Sequence, residues 1–131
     1  MEAKVSWISR NPVLPAEMSE LRAKLGQCSI LQHQQTFVDA KQIVAWVRED
    51  TAKHAVIVAP LGVISHVIME GPEIIWLYAE MMPFHDECRG RGCEKYDAAR
   101  DVIITQRGIS RHHRFNGFKR IVEIKMILEP F

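Results

Sequence analysis

The apolar positions along the chain alternate between short continuous runs and runs with helical spacing. Residues 5–8 form an apolar run that predicts a strand. The next apolar residues follow at intervals of four, three and four, which predicts a helix with one apolar face: Leu14, Met18, Leu21 and Leu25. Pro15 suits the first turn of this helix, where no N–H bond is lost, and Gly26 suits its end.

A second strand and a second helix come next. Residues 28–31 predict the strand. Asp39 is placed to cap the helix, and Gln42, three residues later, can return the hydrogen bond. We also expect Val38 to pack on Ile43 as a hydrophobic staple, so the start of this helix is well specified.

The same alternation continues up to residue 80. The continuous apolar run 55–59 is typical of a central parallel strand that helices cover on both faces. A short apolar helix at 63–68 and a strand at 74–78 follow. Strands that alternate with helices pair in parallel through right-handed crossovers. The sequence therefore predicts an α/β fold, a single three-layer Rossmann-like domain with a mostly parallel sheet.

The last third of the chain has a different pattern. Periodicity is weak between about 81 and 111, so we expect a loop-rich insertion there, with at most a brief strand at 101–104. From 118 to 128, apolar residues alternate with mostly polar and charged ones. This alternation predicts a long C-terminal strand with one solvated face, lying at an edge of the sheet.

Length and composition fit one compact domain, since the 131 residues are 47% hydrophobic and 25% charged. No apolar run approaches the roughly 20 residues that span a bilayer, and the N-terminus lacks the pattern of a secretory signal. We therefore expect a cytoplasmic protein with no membrane partner. Three cysteines, an odd number, argue against a disulfide framework.

An anion-binding site is predicted where the first strand ends. In an open parallel sheet, ligands bind beyond the carboxyl ends of the strands. At that position Arg10 can hold a phosphate, and Ser9 and Asn11 can add hydrogen bonds. Leu61 and Gly62 follow the third strand at the same edge, where a glycine lets a ligand approach the backbone. The alternative is a surface ion pair for Arg10 and a turn cap for Asn11.

A second candidate surface is the basic segment 107–120. It contains five Lys or Arg residues, two histidines and no carboxylate, with phenylalanines between the charges. Four of its polar residues stand together in the sequence: Arg111, His112, His113 and Arg114. Such a run predicts either an anion-binding surface or a solvated basic face.

Cofactor and metal motifs have little support. The chain lacks both the phosphate-loop motif and the glycine fingerprint of dinucleotide-binding proteins, so no cofactor is expected. His85, Cys88 and Cys93, with His112 or His113, have the side chains for a zinc site. Only one Cys-x4-Cys pair is present, however, and we predict reduced thiols without a metal ion.

A family resemblance adds to this interpretation. The strand that ends in Ser-Arg-Asn-Pro, the helix after it and the Val-Ile-Val-Ala-Pro-Leu strand end resemble the compact Rossmann-like proteins associated with CRISPR systems, including small ring nucleases. The resemblance covers chiefly residues 4–80. It implies that the chain binds a cyclic oligoadenylate at the strand ends, commonly across a homodimer. Some proteins of this kind also cleave the ligand without a metal ion.

The implied cleavage is attack of a ribose 2′-hydroxyl on the adjacent phosphate. Arg10 with Arg111 or Arg114 would stabilise the developing charge, and His112 or His113 would transfer a proton. A non-catalytic module that senses a nucleotide or binds RNA fits the same residues equally well. In both cases the predicted partner is a cyclic or linear oligoribonucleotide.

Overall fold

The computed structural model describes residues 2–85 and 92–131. Within these ranges the chain forms six strands and three helices. In chain order they are β1 (Ala3–Ile8), α1 (Pro15–Leu25), β2 (Cys28–His33), α2 (Ala40–Glu49), β3 (His54–Ile57), α3 (Leu61–Glu70), β4 (Ile75–His85), β5 (Asp101–Gln106) and β6 (Ile109–Arg120). The predicted α/β class is confirmed, and the predicted order of elements up to β4 is confirmed with it.

The strands form one mixed sheet in the order β2-β1-β3-β4-β6-β5. Parallel pairing joins β1 to β2, β1 to β3, and β3 to β4. β5 and β6 pair antiparallel. They are joined by Arg107 and Gly108, both at positive φ, as a two-residue hairpin turn of this kind requires. The sheet is therefore parallel on the β2 side and antiparallel at the β5 edge.

The chain divides into two compact units. The first consists of Met1–Asn11, Gln27–Tyr78 and Arg120–Phe131, and the second of Pro12–Gly26 and Ala79–Lys119. The segment 81–111, predicted as a loop-rich insertion, contributes part of β4, all of β5 and the start of β6 to the second unit. The predicted number of domains stays a prediction.

The core of the first unit lies between its strands and the helices α2 and α3. Ala55, Val56 and Ile57 of β3 have no exposed surface, as expected for a central parallel strand. α2 contributes an apolar stripe at helical spacing, and α3 adds two buried residues: Ile43, Val44 and Val47, with Ile64 and Val67. This packing fixes the positions at which β1, β2 and β3 end.

The cap of α2 is confirmed, but its predicted staple is wrong. The backbone N–H of Gln42 donates to Asp39 Oδ1 at 3.0 Å, and the Gln42 side chain accepts from the backbone N–H of Val38 at 2.6 Å. The side chain of Val38 is 87% exposed and cannot pack on buried Ile43. The polar bond to the Val38 backbone therefore specifies this end of the helix without an apolar contact.

In the second unit, α1 begins and ends where the sequence predicts. Pro15 is in its first turn, and Gly26 follows its last residue at φ 76°. Glu17, which is 2% exposed, accepts a hydrogen bond from the Leu14 backbone N–H at 2.8 Å. Burial raises the pKa of Glu17, although the bond from Leu14 opposes this rise.

The predicted C-terminal edge strand is wrong. β6 ends at Arg120 and lies between β4 and β5, and residues 121–131 form neither helix nor strand. Ile121 donates its backbone N–H to the Trp76 carbonyl at 2.9 Å and packs against the core together with Ile124, three residues later. The alternating apolar residues that suggested a buried face are exposed: Val122, Met126 and Leu128. A spacing of three between the packed residues is incompatible with the two-residue period of a strand.

Candidate functional site: a cleft at the ends of β1, β2 and β3

The strand order reverses direction at β1, which pairs with β2 on one side and with β3 on the other. In open parallel sheets the loops that leave two such strands diverge, which opens a crevice at their carboxyl ends. A cleft of about 410 Å³ occupies this position. Its lining comes from the ends of three strands and the loops after them: residues 8–11, 33–37 and 58–60. Arg10 and Pro60 both belong to this lining, so the loops after β1 and β3 lie at the same edge of the sheet, as predicted.

Hydrogen bonds hold the backbone of the β1 loop in place. The Ser9 hydroxyl, which is buried, accepts from the Asn11 backbone N–H at 3.1 Å. The Asn11 carbonyl accepts from Gln32 Nε2 at 2.8 Å and from Trp7 Nε1 at 3.2 Å. Because these bonds use backbone groups of Asn11, they leave its side chain unused, and Asn11 is an exposed residue of the cleft lining.

Arg10 brings a positive charge to the cleft. Its Nη2 atom donates to Thr36 Oγ1 at 3.1 Å, from one lining loop to the other. Among residues 2–84 and 92–131, no carboxylate lies within ion-pair distance of its guanidinium. The surface ion pair considered from the sequence is thus not formed there, and the donors of the guanidinium other than Nη2 have no acceptor among the described residues.

The N-terminus of α3 begins beside the cleft. Pro60 lines the cleft and immediately precedes the helix, whose first residues are Leu61 and Gly62. The position that a Cβ of Gly62 would take has no neighbour within 4 Å, so the backbone there is open to approach. The unpaired N–H groups of a helix start favour anions. Leu61 and Gly62 therefore adjoin the cleft, although neither belongs to its lining.

His33 is a cleft residue that the sequence analysis missed. Its Nε2 atom lies 2.6 Å from Asp50 Oδ2, and the same oxygen accepts the Ser6 hydroxyl at 2.7 Å. Its ring stacks on Trp46 with centroids 5.2 Å apart and planes 1° apart. Asp50 follows α2 and is 17 positions away in sequence, so no local motif links these residues.

In the second unit, His112 is sequestered. It has no exposed surface, and its Nε2 atom lies 2.6 Å from Asp101 Oδ2. Its ring also lies edge-on to Phe84, with centroids 5.0 Å apart. A fully buried imidazole cannot reach a ligand from solvent, so this arrangement favours a structural role for His112 over the predicted proton transfer.

Arg114 is also committed to contacts within the protein. Its Nε and Nη2 atoms donate to the two carboxylate oxygens of Asp101, at 2.7 and 3.0 Å, and Nη2 also donates to the Lys95 carbonyl. Its guanidinium lies 3.8 Å from the ring centre of Phe84. Burial raises the pKa of Asp101, but hydrogen bonds from Arg114, the Asp97 backbone and His112 more than offset this and hold it well below its ordinary value.

Arg111 and His113 lie on the other face of the β5–β6 hairpin. In the antiparallel register they stand opposite Ile104 and Val102, whereas His112 and Arg114 stand opposite Ile103 and Asp101. They line a concavity of about 760 Å³ together with four further residues: Ile104, Gln106, Arg107 and Ile109. The predicted site residues therefore fall into three settings: the cleft of the first unit, this hairpin face, and the buried cluster around Asp101.

Within residues 2–84 and 92–131, no three His, Cys, Asp or Glu side chains are grouped to hold a metal ion. Cys88 and the side chain of His85 lie outside the described residues, so the state of that loop stays a prediction. None of the three described helices is long and apolar enough to cross a bilayer.

Comparisons with known proteins found no significant similarity. No family model matches the chain, and neither a curated protein nor a solved structure matches it.

Proposed function

We propose that the cleft at the ends of β1, β2 and β3 binds a nucleotide unit of an oligoribonucleotide through its phosphate. The main support is the position of Arg10. This residue belongs to the cleft lining, and its guanidinium has no carboxylate partner among the described residues. Arginine matches phosphate with two parallel hydrogen bonds, and such contacts are stronger than those between neutral groups.

Further groups around the cleft support this ligand. The Ser9 hydroxyl and the Asn11 carboxamide adjoin Arg10, and the start of α3 offers open backbone N–H groups next to Pro60. Four residues of the lining are apolar and suit a ribose or a base: Ile8, Phe37, Val58 and Ala59. A volume of about 410 Å³ falls within the usual range for small-molecule sites.

The fold supports the same position for the ligand. A parallel order of β2-β1-β3-β4 is that of doubly wound sheets, whose ligands bind where the order reverses. We also propose that the chain has the three-layer Rossmann-like arrangement. From the resemblance of residues 4–80, we propose that it is a CRISPR-associated protein whose ligand is a cyclic oligoadenylate. One cleft of this size holds about one nucleotide, so a cyclic oligomer would engage a second copy of the chain in a homodimer.

Binding of cyclic tetra-adenylate to an Arg10→Ala variant tests the proposal. We expect the dissociation constant to rise about tenfold to a hundredfold, because a hydrogen bond to a charged group contributes about 1.5–3 kcal/mol. Arg10→Lys should recover only part of this loss, since an ammonium keeps the charge without the planar fork. The measurement is isothermal titration calorimetry.

The matched control is Arg22→Ala. Arg22 is an exposed arginine of α1 outside the cleft, so its removal takes away the same charge without touching the site. Equal affinities for wild type, Arg10→Ala and Arg22→Ala would refute the assignment of the cleft.

A second candidate function is RNA binding by the hairpin face. The observation in its favour is the concavity that Arg107, Arg111 and His113 line without a carboxylate. Each arginine that contacts a phosphate adds about one to the slope of log affinity against log salt concentration. If this face binds linear RNA, Arg111→Ala should lower that slope by about one. An unchanged slope and affinity would exclude the hairpin face.

A further inference from the structure

We infer that His33 acts as a general base in the cleft. It accepts the proton of a ribose 2′-hydroxyl as that oxygen attacks the adjacent phosphate. The inference rests on the proposed function, because it requires an oligoribonucleotide with its phosphate at Arg10. It assigns the proton transfer to a residue of the first unit rather than to the buried His112.

The ring of His33 is fixed in position by contacts on two sides. Asp50 Oδ2 lies 2.6 Å from Nε2, and Trp46 stacks on the ring face with parallel planes. The side chains of His33 and Asp50 are 15% and 12% exposed, so the pair is largely shielded from solvent. His33 belongs to the cleft lining, whereas Asp50 does not. A base must be held in place in this way for its lone pair to meet a ligand in a defined direction.

Asp50 and Ser6 also determine which ring nitrogen carries the hydrogen. Ser6 Oγ donates to Asp50 Oδ2 at 2.7 Å, and an ionised carboxylate can only accept, so Nε2 of His33 must donate to it as well. In the neutral ring Nδ1 then has a free lone pair. Across the part of the chain that the structure describes, Nδ1 of His33 has no hydrogen-bond partner. A base with its lone pair available is what the reaction requires.

The charged groups on the neighbouring elements suit the reaction. Asp50 stabilises the imidazolium that forms when His33 takes a proton, as the carboxylate does in other Asp–His pairs. Lys4 of β1 is bonded to Thr51 Oγ1 next to Asp50, and Arg10 lines the same cleft. Arg10 stabilises the negative charge that develops on the phosphate, and His33 accepts the proton of the 2′-hydroxyl.

The reaction balances without a further reactant. The O2′–P bond forms as the P–O5′ bond breaks, and the proton of the 2′-hydroxyl passes to Nδ1 of His33. The departing 5′-oxygen takes a proton from water, and His33 later releases its proton to water. The products are a 2′,3′-cyclic phosphate and a 5′-hydroxyl.

Single-turnover cleavage of labelled cyclic and linear tetra-adenylate, at saturating protein, tests the inference. We expect His33→Ala to slow formation of the 2′,3′-cyclic phosphate about a hundredfold or more, while its affinity stays within about threefold of wild type. Asp50→Asn should slow the reaction as well, because the neutral amide no longer stabilises the imidazolium that forms when His33 takes the proton. The control is His66→Ala, which removes an exposed histidine of α3 outside the cleft and should leave the rate unchanged.

The pH profile separates a base from a merely structural residue. The wild-type rate should fall on the acid side as Nδ1 is protonated, and this limb should be absent from the residual rate of His33→Ala. A ¹⁵N spectrum of the imidazoles in wild-type protein supplies a test that does not depend on any variant folding. It should show the Nε2–H tautomer for His33, and the Nδ1–H tautomer would overturn the inference.

The outcomes distinguish this inference from the proposed function. Binding that depends on Arg10 without any product, or with equal rates for wild type and His33→Ala, would overturn the role of His33 and leave the binding function standing. Absence of binding by the wild-type protein would instead refute the proposed function.

Discussion

Two histidines of this chain make the same short contact with a carboxylate, yet their surroundings give them different chemistry. His112 has no exposed surface, and its partner Asp101 is also held by both nitrogens of Arg114. His33 reaches the cleft, and its partner Asp50 is shared only with the Ser6 hydroxyl among the described side chains. The first arrangement stabilises the second unit, and the second leaves Nδ1 of His33 without a hydrogen-bond partner among the described residues.

Replacement of Asp101 tests the structural role of the buried cluster. Asp101→Asn removes the charge that compensates Arg114, and we expect a loss of about 3 kcal/mol in the free energy of unfolding, the lower end for breaking a buried pair. Arg114 retains some exposure, which limits the cost. Urea unfolding at pH 7 measures the change. A loss no larger than that of the exposed control Asp97→Asn, which removes one surface pair with Arg100, would contradict it.

The same cluster predicts the response of stability to acid. The pKa of Asp101 is lower in the folded chain than its ordinary value, so the ionised form stabilises the fold above that ordinary value, near pH 4. This contribution is lost as the pH falls from about 5 towards the lowered folded pKa. Urea unfolding between pH 7 and pH 2.5 measures this. The difference in the free energy of unfolding between wild type and Asp101→Asn should become smaller as the pH falls. A constant difference would argue against the charge as its source.

At the residue scale, Arg10 could be predicted from the sequence, whereas the pairing of His33 with Asp50 could not. Arg10 stands two positions after the end of β1, so its place at a sheet edge could be predicted from local pattern alone. The pairing of His33 with Asp50 depends on where α2 ends relative to β2, which no spacing in the sequence encodes. The opposite faces of His112 and His113 became visible only with the strand register of β5 and β6.

At the scale of elements, the sequence predicts best where burial imposes a strict period. The stripe of α2 and the continuous run of β3 were predicted correctly because packing on the core constrains every position. The C-terminal segment was predicted wrongly because the alternation of apolar and polar residues there does not correspond to a buried face. Val122 and Met126, for example, are exposed. Pattern alone cannot separate a strand from an extended segment that meets the core at Ile121 and Ile124.

The cap of α2 yields a prediction for this element. Asp39→Ala removes the acceptor of the Gln42 N–H, and we expect the free energy of unfolding to fall by about 1 kcal/mol. Asp39→Asn keeps a side-chain oxygen in place and should cost much less, since asparagine caps nearly as well. Thermal and urea unfolding of the three proteins provide the comparison. Equal stability of the alanine and asparagine variants would show that the cap is not the source of the effect.

At the scale of the whole molecule, strand order is what links the fold to the proposed function. Alternating strands and helices predicted the parallel pairs, and the reversal at β1 places the crevice beside Arg10. The antiparallel β5–β6 hairpin was not predicted beyond a brief strand, because most of its residues are exposed or only partly buried and show no strong period. Its place in the strand order depends on long-range pairing that local sequence does not specify.

Ligand binding should also raise the stability of the chain as a whole. A ligand that binds only the folded state at a hundred times its dissociation constant adds about 2.7 kcal/mol to the free energy of unfolding. We expect cyclic tetra-adenylate to raise the melting temperature of wild type and of Arg22→Ala. At the same concentration the increase should be much smaller for Arg10→Ala. An equal increase in all three proteins would place the ligand outside the cleft.

The most direct test of the central claim is a titration of the ¹⁵N-labelled protein with cyclic tetra-adenylate, followed by amide chemical shifts. We expect the largest shifts at the cleft, at residues 9–11, 33–37 and 58–62, with saturation at a defined ratio of ligand to protein. Shifts confined to the hairpin face at 104–113, or no saturable shifts at all, would contradict the claim.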